Sequence, residues 1–157
     1  MFSITHGEVS FEETYALIKA YLAPDEKGEY RVSVGADSQN FSYTKIPIII
    51  GIHKVQNNVG RGGIFFSEIK RVKRISNIRQ KILYETNLSL DLAEKLRQRF
   101  AQDHIRNEIA IHVDAGFNGP TRDYIPEITG WVKACGFRCV VKPDAYIASS
   151  VANRLSK

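Results

Sequence analysis

Arg31-Val32-Ser33-Val34-Gly35-Ala36-Asp37 decides the fold. Val32 and Val34 alternate with small or polar residues at the two-residue period of a strand, and the run stops at an aspartate followed by Ser38 and Gln39. The same figure returns twice downstream. Ile109, Ile111 and Val113 alternate through 108–114 and lead into Asp114-Ala115-Gly116, while 137–142 leads through Pro143 into Asp144. If the three strands are parallel, their aspartates share the carboxyl edge of the sheet, which is where α/β sheets build sites. Adjacent strands lie about 4.8 Å apart, so Asp37 and Asp114 on neighbouring strands come within reach of a common ion. Each aspartate alone fits a turn or a helix cap. Three at one edge form a self-repelling cluster whose natural partner is a hard cation, Mg²⁺ or Mn²⁺.

The intervening sequence fills in the architecture. A β-branched run at 46–55 and an apolar run at 63–72 flank an Asn- and Gly-rich link, so they form a hairpin, with Pro47 at the strand start where a missing donor is tolerated. Helical spacing extends from about 75 to 102. It returns at 123–135, with Pro126 in the first turn and Gly136 just past the end, and again at 144–155. Ahead of the strands, Ser10 and Glu13 make a capping box for an amphipathic helix over 10–22, closed by the Pro24–Gly28 turn. Strands joined first by hairpins and then alternating with helices predict an α/β fold, a mixed five-stranded sheet flanked by helices. The 157 residues make one domain, with 1–28 as an N-terminal helical addition.

The long helix contributes a fourth acid. At about 100° per residue, Ile78, Leu92 and Leu96 project within about 20° of Glu85, whereas Glu94 lies opposite. Glu85 therefore sits in the buried stripe of a continuous helix, where an unpaired carboxylate is costly.

Composition is that of an ordinary globular chain, 43% hydrophobic and 25% charged. No apolar run approaches the ~20 residues of a membrane span. The start carries neither a basic nor an apolar signal region, so a cytoplasmic location is expected. Cys135 and Cys139 have no second ligand pair for zinc and read as free thiols. Lys and Arg exceed Asp and Glu by 22 to 17. Lys70, Arg71, Lys73, Arg74, Arg79 and Lys81 fall in one stretch without an acid, a candidate phosphate-contacting surface or a solvated one. Gln39 and Asn118 lie in loops beside the acids within reach of phosphate or base. Lys142 either pairs with phosphate or neutralises Asp144. His112 fits a hydrogen-bonded sheet histidine better than a metal ligand.

These motifs resemble the ribonuclease H-like superfamily and, more closely, the YkuK-type family of ribonuclease H-related nucleases. The resemblance is carried by Gly35-Ala36-Asp37-Ser38-Gln39, by Tyr84-Glu85 with Ser89-Leu90-Asp91-Leu92-Ala93, by His112 to Gly119, and by Lys142-Pro143-Asp144 with Ala148 to Ala152. It implies a sheet in which the first main strand lies between the second and the fourth. It also implies a metal-dependent nuclease acting on RNA or an RNA–DNA hybrid with two ions of Mg²⁺ or Mn²⁺. Carried over by position, Asp37 bridges the ions, Glu85 and Asp114 hold one, and Asp144 holds the other. Where the family ends in Ala-Asp-Arg-His, this chain has Ala152-Asn153-Arg154-Leu155, a departure that leaves the four acids untouched. Two alternatives stay open: a non-catalytic nucleic-acid-binding or assembly module on the same fold, and a phosphoryl-transfer domain built on Asp114-Ala115-Gly116.

Overall fold

The computed structural model describes residues 2–3, 7–22, 29–56 and 59–145. The expected closing helix over 144–155 lies outside these residues from 146 on, with Asn153 and Leu155, and Asp144 and Ala145 are not helical; the Pro24–Gly28 turn also lies outside. Strands β1 (Phe2–Ser3) and β2 (Gly7–Glu8) precede helix α1 (Phe11–Leu22). Then come β3 (Glu29–Ala36), β4 (Gln39–Asn40), β5 (Tyr43–Gln56), β6 (Val59–Lys73) and the long helix α2 (Ile78–Gln102). Strand β7 (Ile109–His112), a 3-10 turn (Arg122–Tyr124), helix α3 (Ile125–Ala134) and β8 (Arg138–Val140) complete the described chain.

Among the described residues the strands form one sheet in the order β2-β1-β6-β5-β3-β7-β8, with β4 paired beside β5. β3 lies antiparallel to β5 and parallel to β7, and β7 is parallel to β8. The expected mixed sheet is present, with β3 between the hairpin and β7. The hairpin strands run longer than the sequence suggested, and the short β1, β2 and β4 are additional. α1, expected as an addition ahead of the sheet, packs into the same core. Its Tyr15 and Ile18 are fully buried, and the Tyr15 hydroxyl donates to Arg99 O at 3.0 Å and to Asp103 Oδ2 at 2.6 Å near the end of α2.

The two sheet faces differ in chemistry. Val32, Val34 and Ala36 of β3, Ile48, Ile50 and Ile52 of β5, and Phe66 of β6 share one face by register, and all are buried. Leu88, Leu92 and Leu96 of α2, with Ile128 and Val132 of α3, join them in one core cluster. The other face carries Ser33, Gly35, Gly51, Ser67 and His112 beside the apolar Ile49 and Phe65, so it mixes small and polar residues with apolar ones. Truncating a wholly buried residue such as Leu96 to alanine costs about 2–5 kcal/mol.

Two local networks aim α2 at the sheet edge. Asn77 caps the helix, its side chain accepting from Gln80 N at 3.0 Å. Just upstream, Thr44 Oγ1 donates to Asn40 Oδ1 at 2.6 Å and accepts from Ile75 N at 2.8 Å, and Asn40 Nδ2 donates to Ile75 O at 2.9 Å. The chain entering α2 is thereby pinned to the segment that follows Asp37. At the far end, Arg97 donates to Cys135 O at 2.9 Å and stacks 4.2 Å from the Phe137 ring. Gly136, at φ 87°, lets the chain turn there, and any side chain would collide with that guanidinium at 2.8 Å.

Candidate active site

Asp37 and Asp114 lie level with each other one strand apart. The parallel register pairs Gly35 with His112, so two residues on, each strand delivers its aspartate at the same height. α2 runs uninterrupted through Asn87-Leu88-Ser89 and presents Glu85 two turns in, 5% exposed, as its projection required. Asp37, Glu85 and Asp114 line one cleft of about 610 Å³. Its walls are Ile78, Lys81 and Ile82 of α2 and the loop from Gly116 to Thr121.

Electrostatics mark the cluster. Burial pushes the Asp37 carboxyl up to about 8, helped by the adjacent Asp114 carboxylate, to which it hydrogen-bonds, and by Glu85. Burial likewise raises Glu85 to about 7, opposed chiefly by Ser38, whose hydroxyl donates to Glu85 Oε1 at 2.5 Å. Asp114 is met by Lys142, whose Nζ stands 2.5 Å from Oδ1. That oxygen is wholly buried and, beyond this charge contact, accepts no hydrogen bond.

Asp144 takes a different position. It is exposed in the turn after β8 and lines an adjoining groove with Arg31, His112, Arg138 and Cys139, which meets the cleft at Phe117, Lys142 and Pro143. His112 in that groove is buried and pushed down to about 4, first by burial and then by the His53 and Arg138 charges, which keeps it neutral near pH 7. Cys135 and Cys139 are free and half-buried.

The remaining sequence candidates disperse. Gln39 lies in β4, opposite Lys45, and Asn118 is exposed on the cleft loop. The basic run is divided by the pleat of β6. Lys70 shares the α2 side with Phe66, its ammonium 5.7 Å from the Tyr84 ring, whereas Arg71 and Lys73 point the other way. Arg74 folds back on Phe41 O and on Ser76 Oγ. Three features of the cleft went unnoticed in the sequence: the Ser38–Glu85 bond, the Lys142–Asp114 pair, and Phe117 and Ile78, which are 60% and 45% exposed on its walls. Phe117 did stand inside the Asp114 motif, and a large aromatic between glycine and asparagine in a loop was the available signal.

The donor set is all hard oxygen, and the carboxylates of Asp37, Glu85 and Asp114 in one cleft suit one divalent cation. Against this, no group of three His, Cys, Asp or Glu among the described residues is arranged to hold an ion as it stands. Ser38 engages Glu85, and Lys142 engages Asp114. No helix among the described residues is long and apolar enough to cross a membrane.

A level pair of strand-end aspartates faced by a helical glutamate is the arrangement of a ribonuclease H-like domain, and the Ribonuclease H-like family model matches residues 13–157. The chain belongs to the ribonuclease H-like family, of the YkuK type. It is 28% identical to the Uncharacterized protein YkuK of Bacillus subtilis (strain 168), over 99% of this chain and 96% of that one. No solved structure matches the chain.

Proposed function

We propose that this domain is a divalent-metal-dependent nuclease that hydrolyses phosphodiester bonds in RNA or an RNA-containing duplex. The observation that carries this reading is the level Asp37–Asp114 pair facing buried Glu85 in one cleft. Buried like charges that a single lysine does not balance are costly, and functional sites are where proteins retain them. Asp37, Asp114 and Glu85 would hold the metal, which when bound activates water and neutralises charge on the phosphoryl oxygens. Asp144 is the acid that a second ion would recruit in a two-ion arrangement. Lys81 on the cleft wall offers a phosphate contact. Phe117 and Ile78 offer apolar surface to a base or sugar, and Asn118 hydrogen-bonding groups.

The test is incubation of the purified protein with labelled RNA, DNA, hybrid and branched substrates in Mg²⁺ or Mn²⁺, beside Asp37→Asn. Cleavage that the substitution abolishes supports the reading, and no cleavage of any substrate overturns it. A second reading, a binding module that kept the fold without catalysis, is favoured by the ion pair that Lys142 makes on Asp114. Nucleic-acid binding indifferent to Mn²⁺ and to Asp37→Asn would select it.

A further inference from the structure

We propose that the Lys142 ammonium is the built-in second cation of this cleft, so that the site takes one divalent ion where four carboxylates would take two. The proposal rests on the reading of the cleft as a divalent-ion site and concerns how its charge is completed.

Four observations converge on Lys142. Its Nζ lies 2.5 Å from Asp114 Oδ1, a buried oxygen whose one partner among the described residues is this ammonium. The carboxylates acting on it are, in order of strength, Asp114, Asp37 and Glu85, the whole acid set of the cleft. The placement is constructed: Lys142 N donates to Ala115 O at 2.9 Å, and the aliphatic stem lies over Gly116, where a Cβ would meet Lys142 Cβ at 3.2 Å and Cδ at 3.6 Å. Finally, Asp144, the acid a second ion would need, is exposed in the neighbouring groove two residues on. The chain leaving β8 therefore turns a cation toward Asp114 and its acid away.

An ammonium at that position has two physical consequences. It offsets one of the three negative charges, leaving an excess that one divalent ion balances. It also stands beside Asp114 with the donors not facing that carboxylate available to an anionic substrate oxygen, though without the Lewis acidity of a metal.

Mn²⁺ stoichiometry, measured by calorimetry and by electron paramagnetic resonance of free ion, tests this on the full chain. Wild type is expected to bind one Mn²⁺. Lys142→Glu, which puts a fourth carboxylate where the ammonium stands, is expected to bind two, and Lys142→Arg one. Circular dichroism and melting confirm that each variant is folded, which the half-exposed position of Lys142 favours. Any other set of counts overturns the proposal. Two ions in wild type would do so while leaving the divalent-ion site standing, whereas no ion in any of the three proteins removes the site as well.

Discussion

The hydroxyl of Ser38 donates to Glu85 Oε1 at 2.5 Å, joining the residue after Asp37 to the helix that crosses the sheet edge. Ser38 is itself buried, so the bond is made out of water and favours the ionised carboxylate, opposing the burial that raises Glu85. Ser38→Ala is expected to cost about 1–3 kcal/mol at pH 8, the range for a hydrogen bond to a charged group, and less at pH 5, where Glu85 is protonated. Denaturant unfolding at both pH values measures it. An equal loss at the two would reduce Ser38 to a packing residue.

Asp37 at about 8 and Glu85 at about 7 make the metal-free protein pH-sensitive in a defined direction. Both folded values lie above the ordinary carboxylate value, so the native state retains protons that the unfolded chain has released. The stability contribution is complete below about pH 4 and is lost as pH rises through 7 to 8. A decline of roughly 2–4 kcal/mol from pH 4.5 to 8.5 is expected, below the full sum of the shifts because Asp37 shares its interaction with Asp114. Asp37→Asn should flatten the profile and leave the metal-free protein as stable or more stable at pH 8. Urea titrations across that window decide it, and stability that rises with pH would refute it.

Divalent-ion binding should follow the opposite trend. Ligation requires the carboxylates to release those protons, so Mn²⁺ affinity is expected to rise by about tenfold or more between pH 6 and 8. Asp37→Asn and Asp114→Asn should each weaken it, whereas Asp144→Asn, in the adjoining groove, should not. Calorimetry on the three variants separates the roles. Undiminished binding in both of the first two would remove the cleft as a metal site.

The divided basic run predicts an unequal response of nucleic-acid binding. Replacing Lys70, on the α2 face, together with Lys81, on the cleft wall, should lower the salt slope by roughly 1–2 units. Replacing Arg71 and Lys73, which point to the opposite face, should leave it unchanged. Equal slopes for the two double variants would mean that the sheet faces do not define the path.

Phe117 stands 60% exposed beside the acids, so its removal should leave folding stability nearly unaltered. If it stacks on an unpaired base, Phe117→Ala should weaken single-stranded RNA binding by about 1–3 kcal/mol. Fluorescence anisotropy with a short labelled oligonucleotide reads this out, and unchanged binding would leave Phe117 without a role at the cleft.

Much of the architecture was legible in the sequence because it depends on local periodicity. The alternation of Val32 and Val34 identified β3, and the alternation of Ile109 and Ile111 identified β7. The 100° step of a helix put Glu85 on the buried stripe of α2 opposite Glu94, from the backbone geometry of a single element. The reach of β6 back to Val59 was not visible in its apolar run, because pairing with β5 rather than hydrophobicity extends it. Within the strand expected over 63–72 the pleat alone sends Lys70 and Arg71 to opposite faces.

Tertiary structure alone decided which charges meet. The sequence set Asp37 beside Asp114 and expected Asp144 at the same edge; the register of β3 on β7 brings the first two level, while the turn after β8 leaves Asp144 exposed. In its place Lys142 reaches Asp114, guided by a backbone bond to Ala115 and a stem lying over Gly116. A periodic pattern specifies which way side chains face within an element. It carries no information on where a turn between elements aims the next residues, and a change of two positions there exchanges an acid for a base.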